Sequence, residues 1–572
     1  MSSRHRVLTN SPRTQSLRLG MARLAICSLV CLTFVLSDVR AGLAQTPLRQ
    51  VIDEHISAGW KTRNVTPAAP CSDAEFLRRI YLDLSGTIPT TAATRAFLND
   101  AAPDKREKLI DQLLASPEYA RNMQLLFDAM LLERQYANYV TEAEWTEYLR
   151  ESFATNKPWD QFVRELIAVD GTDPKLHAAM RFQLVRTLDS YRVLNPNAIT
   201  RDVGRLFLGI NLQCAQCHDH PTIKDYHQAD YFGIYAFFSR SSVFMATVDT
   251  KTVAQFAESA EGTVTFTSVF DKEKKSHTTN PRLPGRPEIT EPMFEKGKEY
   301  TVAPANGVRP VPIHSRRGEL ARSLPAPDNV AFNRNIANRL WCQMLGRGIV
   351  HPVELNHASN PPSHPELLDI LGQRMAEMKY DIKAFLRELA LTRTYQLSSV
   401  PAAGVSVAAP ESFATARLKP IGPEQFAMTM LQATGMTDVQ RLALGDKATP
   451  DALYATQKGH FPPFVTFFAS PPGQAEGSFQ SSLEQGLFLG NGDSVRSWLG
   501  RQAGNLVDRL SNLPEPTPVA EELYLSVYTR MPSPEETAEI ADYLKDRAGD
   551  RTEALQELVW SLLTSTEFRF NH

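Results

Sequence analysis

The sequence predicts a mainly α-helical fold of several modules with one small β-rich insertion. Three observations lead there. Apolar residues recur at helical spacing from about residue 46 to 240 and again from 316 onward. Between them, residues 241–315 mix strand-like alternation with clustered turn formers. The length, 572 residues, exceeds what a single hydrophobic core organises.

The first element reads as an export signal. Arg4, Arg6, Arg13, Arg18 and Arg23 precede an apolar run at 24–36, which falls short of the roughly 20 residues that span a bilayer. Small residues follow, with Gly42-Leu43-Ala44 as a cleavage site before Gln45. The expectation is a signal peptide at 1–44, a protein exported to the periplasm or beyond, and no transmembrane helix after cleavage. An uncleaved anchor is the alternative. Cleavage removes Cys27 and Cys31 and leaves Cys71, Cys214, Cys217 and Cys342.

The helical module 46–240 follows. Ser72-x-x-Glu75 forms a capping box ahead of Phe76, Leu77, Ile80, Tyr81 and Leu84, and Gly86 and Pro89 close that helix. Residues 105–115 present Leu109, Ile110, Leu113 and Leu114 on one face. Helical patterns recur at 121–134, 142–153, 161–168 and 200–209, and the aromatic run 230–238 reads as buried. In 241–315 the segment GTVTFTSVF, 262–270, sets Val264, Phe266 and Phe270 against threonines, a strand signal, and turns follow at 272–275, Asn280-Pro281 and Pro284-Gly285. The second helical module, 316–572, opens after Ser315. Gly346-Arg347-Gly348 stops a helix at 333–345, and Ser363-x-x-Glu366 with Pro365 caps one at 365–378. Breaker-rich residues 400–412 read as a linker.

The order Tyr81-Leu82, Pro89-Thr90, Arg106, Leu113, Ser116-Pro117-Glu118-Tyr119 returns as Tyr524-Leu525, Pro532-Ser533, Arg551, Leu558, Ser565-Thr566-Glu567-Phe568. This echo reads as two related helical units, with convergent helix patterning as the competing account.

Cys214-Ala215-Gln216-Cys217-His218 has the C-x-x-C-H form that attaches a c-type haem. Two thiols three residues apart can add to the two vinyl groups of one porphyrin, and the adjoining imidazole becomes the axial iron ligand. Cys214 and Cys217 would form the thioethers and His218 would bind iron. His220, His227 and Met245 are candidates for a further ligand, unless that position is open. Tyr226, Tyr231, Phe232 and Phe237 could pack around a porphyrin or simply fill core. Two rival readings stay open. Cys214, Cys217 and His220 with His227 or Asp225 could bind Zn²⁺ tetrahedrally. Alternatively, the two cysteines form a disulfide staple, which an oxidising compartment permits. His357 and His364 flank a Pro-rich loop that could line a cleft.

The net charge of −3 gives no reason to expect a nucleic-acid partner. There is no G-x-S-x-G elbow, H-E-x-x-H helix or phosphate loop. Three functions follow, and whether the protein is an enzyme is open among them. One is an exported c-type haem protein in redox or electron transfer. The others are a secreted binding or scaffolding protein, and a metal-dependent extracellular hydrolase. The redox partner or extracellular substrate is not encoded in any motif.

Residues 74–90 (AEFLRRIYLDLSGTIPT) and 206–238, which contain CAQCHDHP, resemble the DUF1549 family, also called the planctomycete cytochrome-like domain PSCyt2. Residues 333–399, with NRLWCQMLGRGIVHP, SNPPSHPELLD and RTYQLSS, resemble DUF1553, or PSD1, as does the ending STEFRFNH. The resemblance implies a secreted protein of a planctomycete or a related bacterium and supplies no activity. That family tends to carry an acidic pair after its GRG-V-P motif, where this chain has Val353-Glu354-Leu355-Asn356.

Overall fold

Serine and threonine caps set the helix starts of the N-terminal half. Ser72, Thr90, Ser116 and Thr141 each accept a backbone N–H from the first turn of the following helix. The computed structural model describes residues 46–188, 193–402, 404–476 and 481–572. The export signal read at 1–44 lies outside the described residues. The chain divides into a unit of residues 1–51 and a unit of residues 52–572. Of the first, the described residues 46–51 include the beginning of the helix Leu48–Arg63. All that follows concerns the second unit.

The fold is mainly α, and the described strands form only two-stranded antiparallel sheets. Helices occupy Asp73–Ser85, Lys105–Ala115, Glu142–Ala154 and Trp159–Ala168, each burying the apolar face its spacing predicts. In the insertion, Ser241–Val248 pairs with Lys251–Glu258 in register, with Ser241 opposite Glu258. The alternation read at 262–270 yields a shorter strand, Val264–Phe266, paired with His277–Thr279. It ends there because Ser268 turns the chain by accepting the Phe270 N–H at 3.3 Å. Phe270 is left 71% exposed, not on a buried face. A second correction concerns Ser363. The helix Pro365–Glu377 has His364 at its N-cap, without a side-chain cap bond, and the Ser363 hydroxyl pairs with His364 Nδ1.

The echoed units adopt matching structures. Tyr81 and Tyr524 lie on the helices Asp73–Ser85 and Pro516–Val527. Thr90 and Ser533 cap the next helices, and Ser116 and Ser565 cap the last ones. Arg106 reaches back to the Cys71 carbonyl at 2.9 Å, and Arg551 to the Leu513 carbonyl at 2.6 Å, each just ahead of its unit's first helix. The units also pack together. Buried Arg78 donates to the carbonyls of Val527 (3.1 Å) and Phe568 (3.0 Å). Leu82 and Ile88 of the first unit join the core of the second, against residues such as Phe426 and Leu523.

His364 is buried beside Gly59, where a Cβ would meet its Nε2 at 2.9 Å. Burial first, then Arg63 and His55, pushes the imidazole down to about 4. It therefore folds neutral, while the unfolded chain protonates near pH 6.5. Its contribution is complete above pH 6.5 and is lost as the pH falls towards 4. Thermal melts between pH 7.5 and 4.5 should show falling stability, and His364→Gln should flatten that fall. An equally steep fall in the variant assigns it to other groups.

Candidate functional site

The Cys214–Cys217 segment is positioned from both sides. The helix Pro196–Val203 runs into a wider turn, Gly204–Leu208, and stops at Gly209, whose φ of +71° is left-handed. A Cβ on Gly209 would meet Asn335 Oδ1 at 2.9 Å, so only glycine fits. Leu212 and Ala215 are buried and pin the short 3₁₀ turn Gln213–Gln216 to the protein. Cys214 lies in this turn and Cys217 caps its end, and both are exposed free thiols.

His218 follows on the same surface. Its Nδ1 lies 2.6 Å from the Asp219 carbonyl oxygen. A carbonyl can only accept, so Nδ1 carries the proton and Nε2 keeps its lone pair for a metal. The ring packs on Phe270 with centroids 4.4 Å apart, and the Val269 N–H donates to the Cys217 carbonyl at 3.0 Å. His220 has the opposite arrangement. Its Nδ1 accepts the N–H groups of Ile223 (3.0 Å) and Thr222 (3.3 Å), so Nε2 carries the proton. His227 is exposed, with Nδ1 3.9 Å from Asp219 Oδ1, whose carboxylate accepts the Gln228 N–H at 2.8 Å. The Asp225 carboxylate accepts the Ala358 N–H at 2.5 Å. Met245 lies on the hairpin strand opposite Ala254. Among the described residues, no group of three or more His, Cys, Asp or Glu side chains is placed to hold a metal ion.

The four aromatic candidates all make protein contacts. Tyr226 donates to the Asn356 carbonyl at 3.2 Å and Tyr231 to Asn197 Oδ1 at 2.7 Å. Phe232 stacks on Phe266 at 4.8 Å, and Phe237 is fully buried.

The loop 351–360 clasps this segment from a distant part of the chain. Ile210 bridges Leu355, and the Asn356 N–H donates to the Gly209 carbonyl at 3.0 Å. The His357 ring meets Tyr226 edge-on at 5.7 Å. The spacing of His357 had marked this loop. Nothing local marks Asn356 or Phe270 as belonging to this site.

Beneath the clasp lies a buried ion network. Asp202 accepts Arg186 Nε and Arg201 Nε, both at 2.6 Å. Arg205 reaches Glu133 at 2.7 Å and Glu354 at 3.0 Å, and Arg339 also reaches Glu354, at 3.3 Å. Burial pushes the Asp202 carboxyl up, but Arg186, Arg201 and Arg205 outweigh it and hold it well below the usual carboxylate range. Glu354, alone where an acidic pair was expected, thus has a definite partner set.

Residues 51–243 match the PSCyt2 model, described as a protein of unknown function (DUF1549), and residues 316–544 match PSD1, a protein of unknown function (DUF1553). The chain is a DUF1549–DUF1553 protein. Nothing among curated proteins or solved structures matches it. The clasp joins its two families, because C-x-x-C-H lies in the DUF1549 segment and the loop 351–360 in the DUF1553 segment. No helix among the described residues is long and apolar enough to cross a membrane.

Proposed function

We propose that this DUF1549–DUF1553 protein is exported and holds one c-type haem through Cys214, Cys217 and His218, for redox chemistry outside the cytoplasm. One observation carries this reading: two exposed free thiols stand on and at the end of one short turn, and the imidazole that follows has its Nδ1 bonded to a carbonyl, which leaves Nε2 its lone pair. The zinc set has less support, since the ring proton of His220 occupies Nε2. When bound, the haem would supply a one-electron couple. The residues supply the rest. Cys214 and Cys217 would hold the group covalently. The Asp219 carbonyl fixes the His218 tautomer and the orientation of its ring. Phe270 covers one face of the imidazole, and the Asn356–Gly209 bond keeps the segment from shifting.

The test is a pyridine haemochrome spectrum of protein co-expressed with cytochrome c maturation machinery. The expected result is a c-type α-band that survives acid–acetone extraction and is lost in Cys214→Ala/Cys217→Ala. A folded, exported protein without that band overturns the reading and leaves a binding protein or a hydrolase.

A further inference from the structure

A cavity of about 260 Å³ lies between the DUF1549 and DUF1553 segments, well away in sequence from Cys214. Its walls are of two kinds. Ile88, Pro89, Leu113, Met428 and Leu453 supply apolar surface. Tyr81 and Gln432 supply polar groups, and their side chains make no hydrogen bond among the described residues. Thr87 Oγ1 is wholly buried, so its hydroxyl lies behind the wall, out of reach of a ligand in the cavity. Burial first, then the Glu118 carboxylate, pushes the Tyr81 phenol up, so it stays a donor.

The charge at this site is balanced. Arg121 is fixed between Glu118 (3.3 Å) and Asp451 (2.8 Å) and lies over the Tyr454 ring at 5.2 Å. Arg441 is paired with Asp438. Neither an anion nor a cation finds an unpaired counter-charge there. Pockets for drug-sized ligands run from about 300 to 1,000 Å³, so this one suits a single small ring. The rim residues Gln112 and Arg441 are exposed, so one side is open to solvent.

We infer that this cavity binds one ring of a neutral sugar, with its C–H face against the apolar wall and its hydroxyls on Tyr81 and Gln432. The ring can be a free monosaccharide or the end of a longer glycan.

Saturation-transfer NMR on the full chain tests this, with neutral hexoses and pentoses, their methyl glycosides, short oligosaccharides, glucuronate and glucosamine as probes. At least one neutral sugar should bind, and Gln432→Ala should weaken it about fivefold or more. Ala93→Met, which fills the cavity, should abolish binding while the thermal melt stays cooperative. A preference for the methyl glycoside or oligomer identifies a glycan end, and a preference for the reducing sugar a free ring. Binding by none of the neutral probes, equal binding in both variants, or tighter binding of the charged sugars overturns the proposal.

Discussion

Replacing Asp202 by asparagine is expected to cost about 3–5 kcal/mol of folding stability, the range for breaking one side of a buried ion pair. Asp202 has no exposed side-chain surface, and Arg186 beside it has almost none. Arg186 also donates to the Leu131 carbonyl at 2.7 Å, so it cannot swing out to water when the carboxylate goes. Arg201 and Arg205 would keep only Glu133 and Glu354 as anionic partners. Three guanidiniums would then crowd a site with too little negative charge. The urea midpoint at pH 7 measures the loss, and a change below about 1 kcal/mol would show the network relaxing freely. Acid should act in the same direction. The folded carboxyl is held well below its unfolded value, so its contribution is present above about pH 4 and lost as the pH falls further. This loss lies below the pH window of His364, and the two should separate in an acid titration.

Much of the helical fold was legible because its signals are local. The helix Lys105–Ala115 follows from four apolar residues on one face, and the Ser72 cap from its own first turn. The hairpin Ser241–Val248/Lys251–Glu258 was legible only as a β-rich stretch. Its turn residues Asp249 and Thr250 both have positive φ, +47° and +70°, without the glycine that advertises such a turn. At the candidate site, Cys214, Cys217 and His218 stand in one contiguous motif and need no partner to be noticed. The clasp could not be read, because Tyr226 and Asn356 are 130 residues apart and no local period links them. Phe270 was read as an inward strand residue, and the Ser268 turn that places it on His218 has no strong sequence mark. Glu354 stood out only by departing from a family habit, and its meaning comes from Arg205 and Arg339.

Asp83→Leu is expected to destabilise as strongly as the Asp202 change, and its double variant tells more. Asp83 ends up buried at a junction of four chain segments. It pairs with Lys419 and accepts from Tyr395 Oη at 2.8 Å and Asn571 Nδ2 at 2.7 Å. Lys419 donates in turn to the carbonyls of Gln343 (3.1 Å) and Met344 (2.8 Å). Burial pushes the Asp83 carboxyl up and the Lys419 ammonium down, and each partner opposes the other's shift. The pair therefore stabilises little beyond its own desolvation, yet either member alone would be a buried, uncompensated group. Asp83→Leu and Lys419→Met should each cost about 3–5 kcal/mol, while the two together should recover most of that loss. Urea denaturation of the three variants measures the coupling. Losses that simply add would mean that the carbonyls and Tyr395, not the ion pair, hold the junction of the DUF1549 and DUF1553 segments.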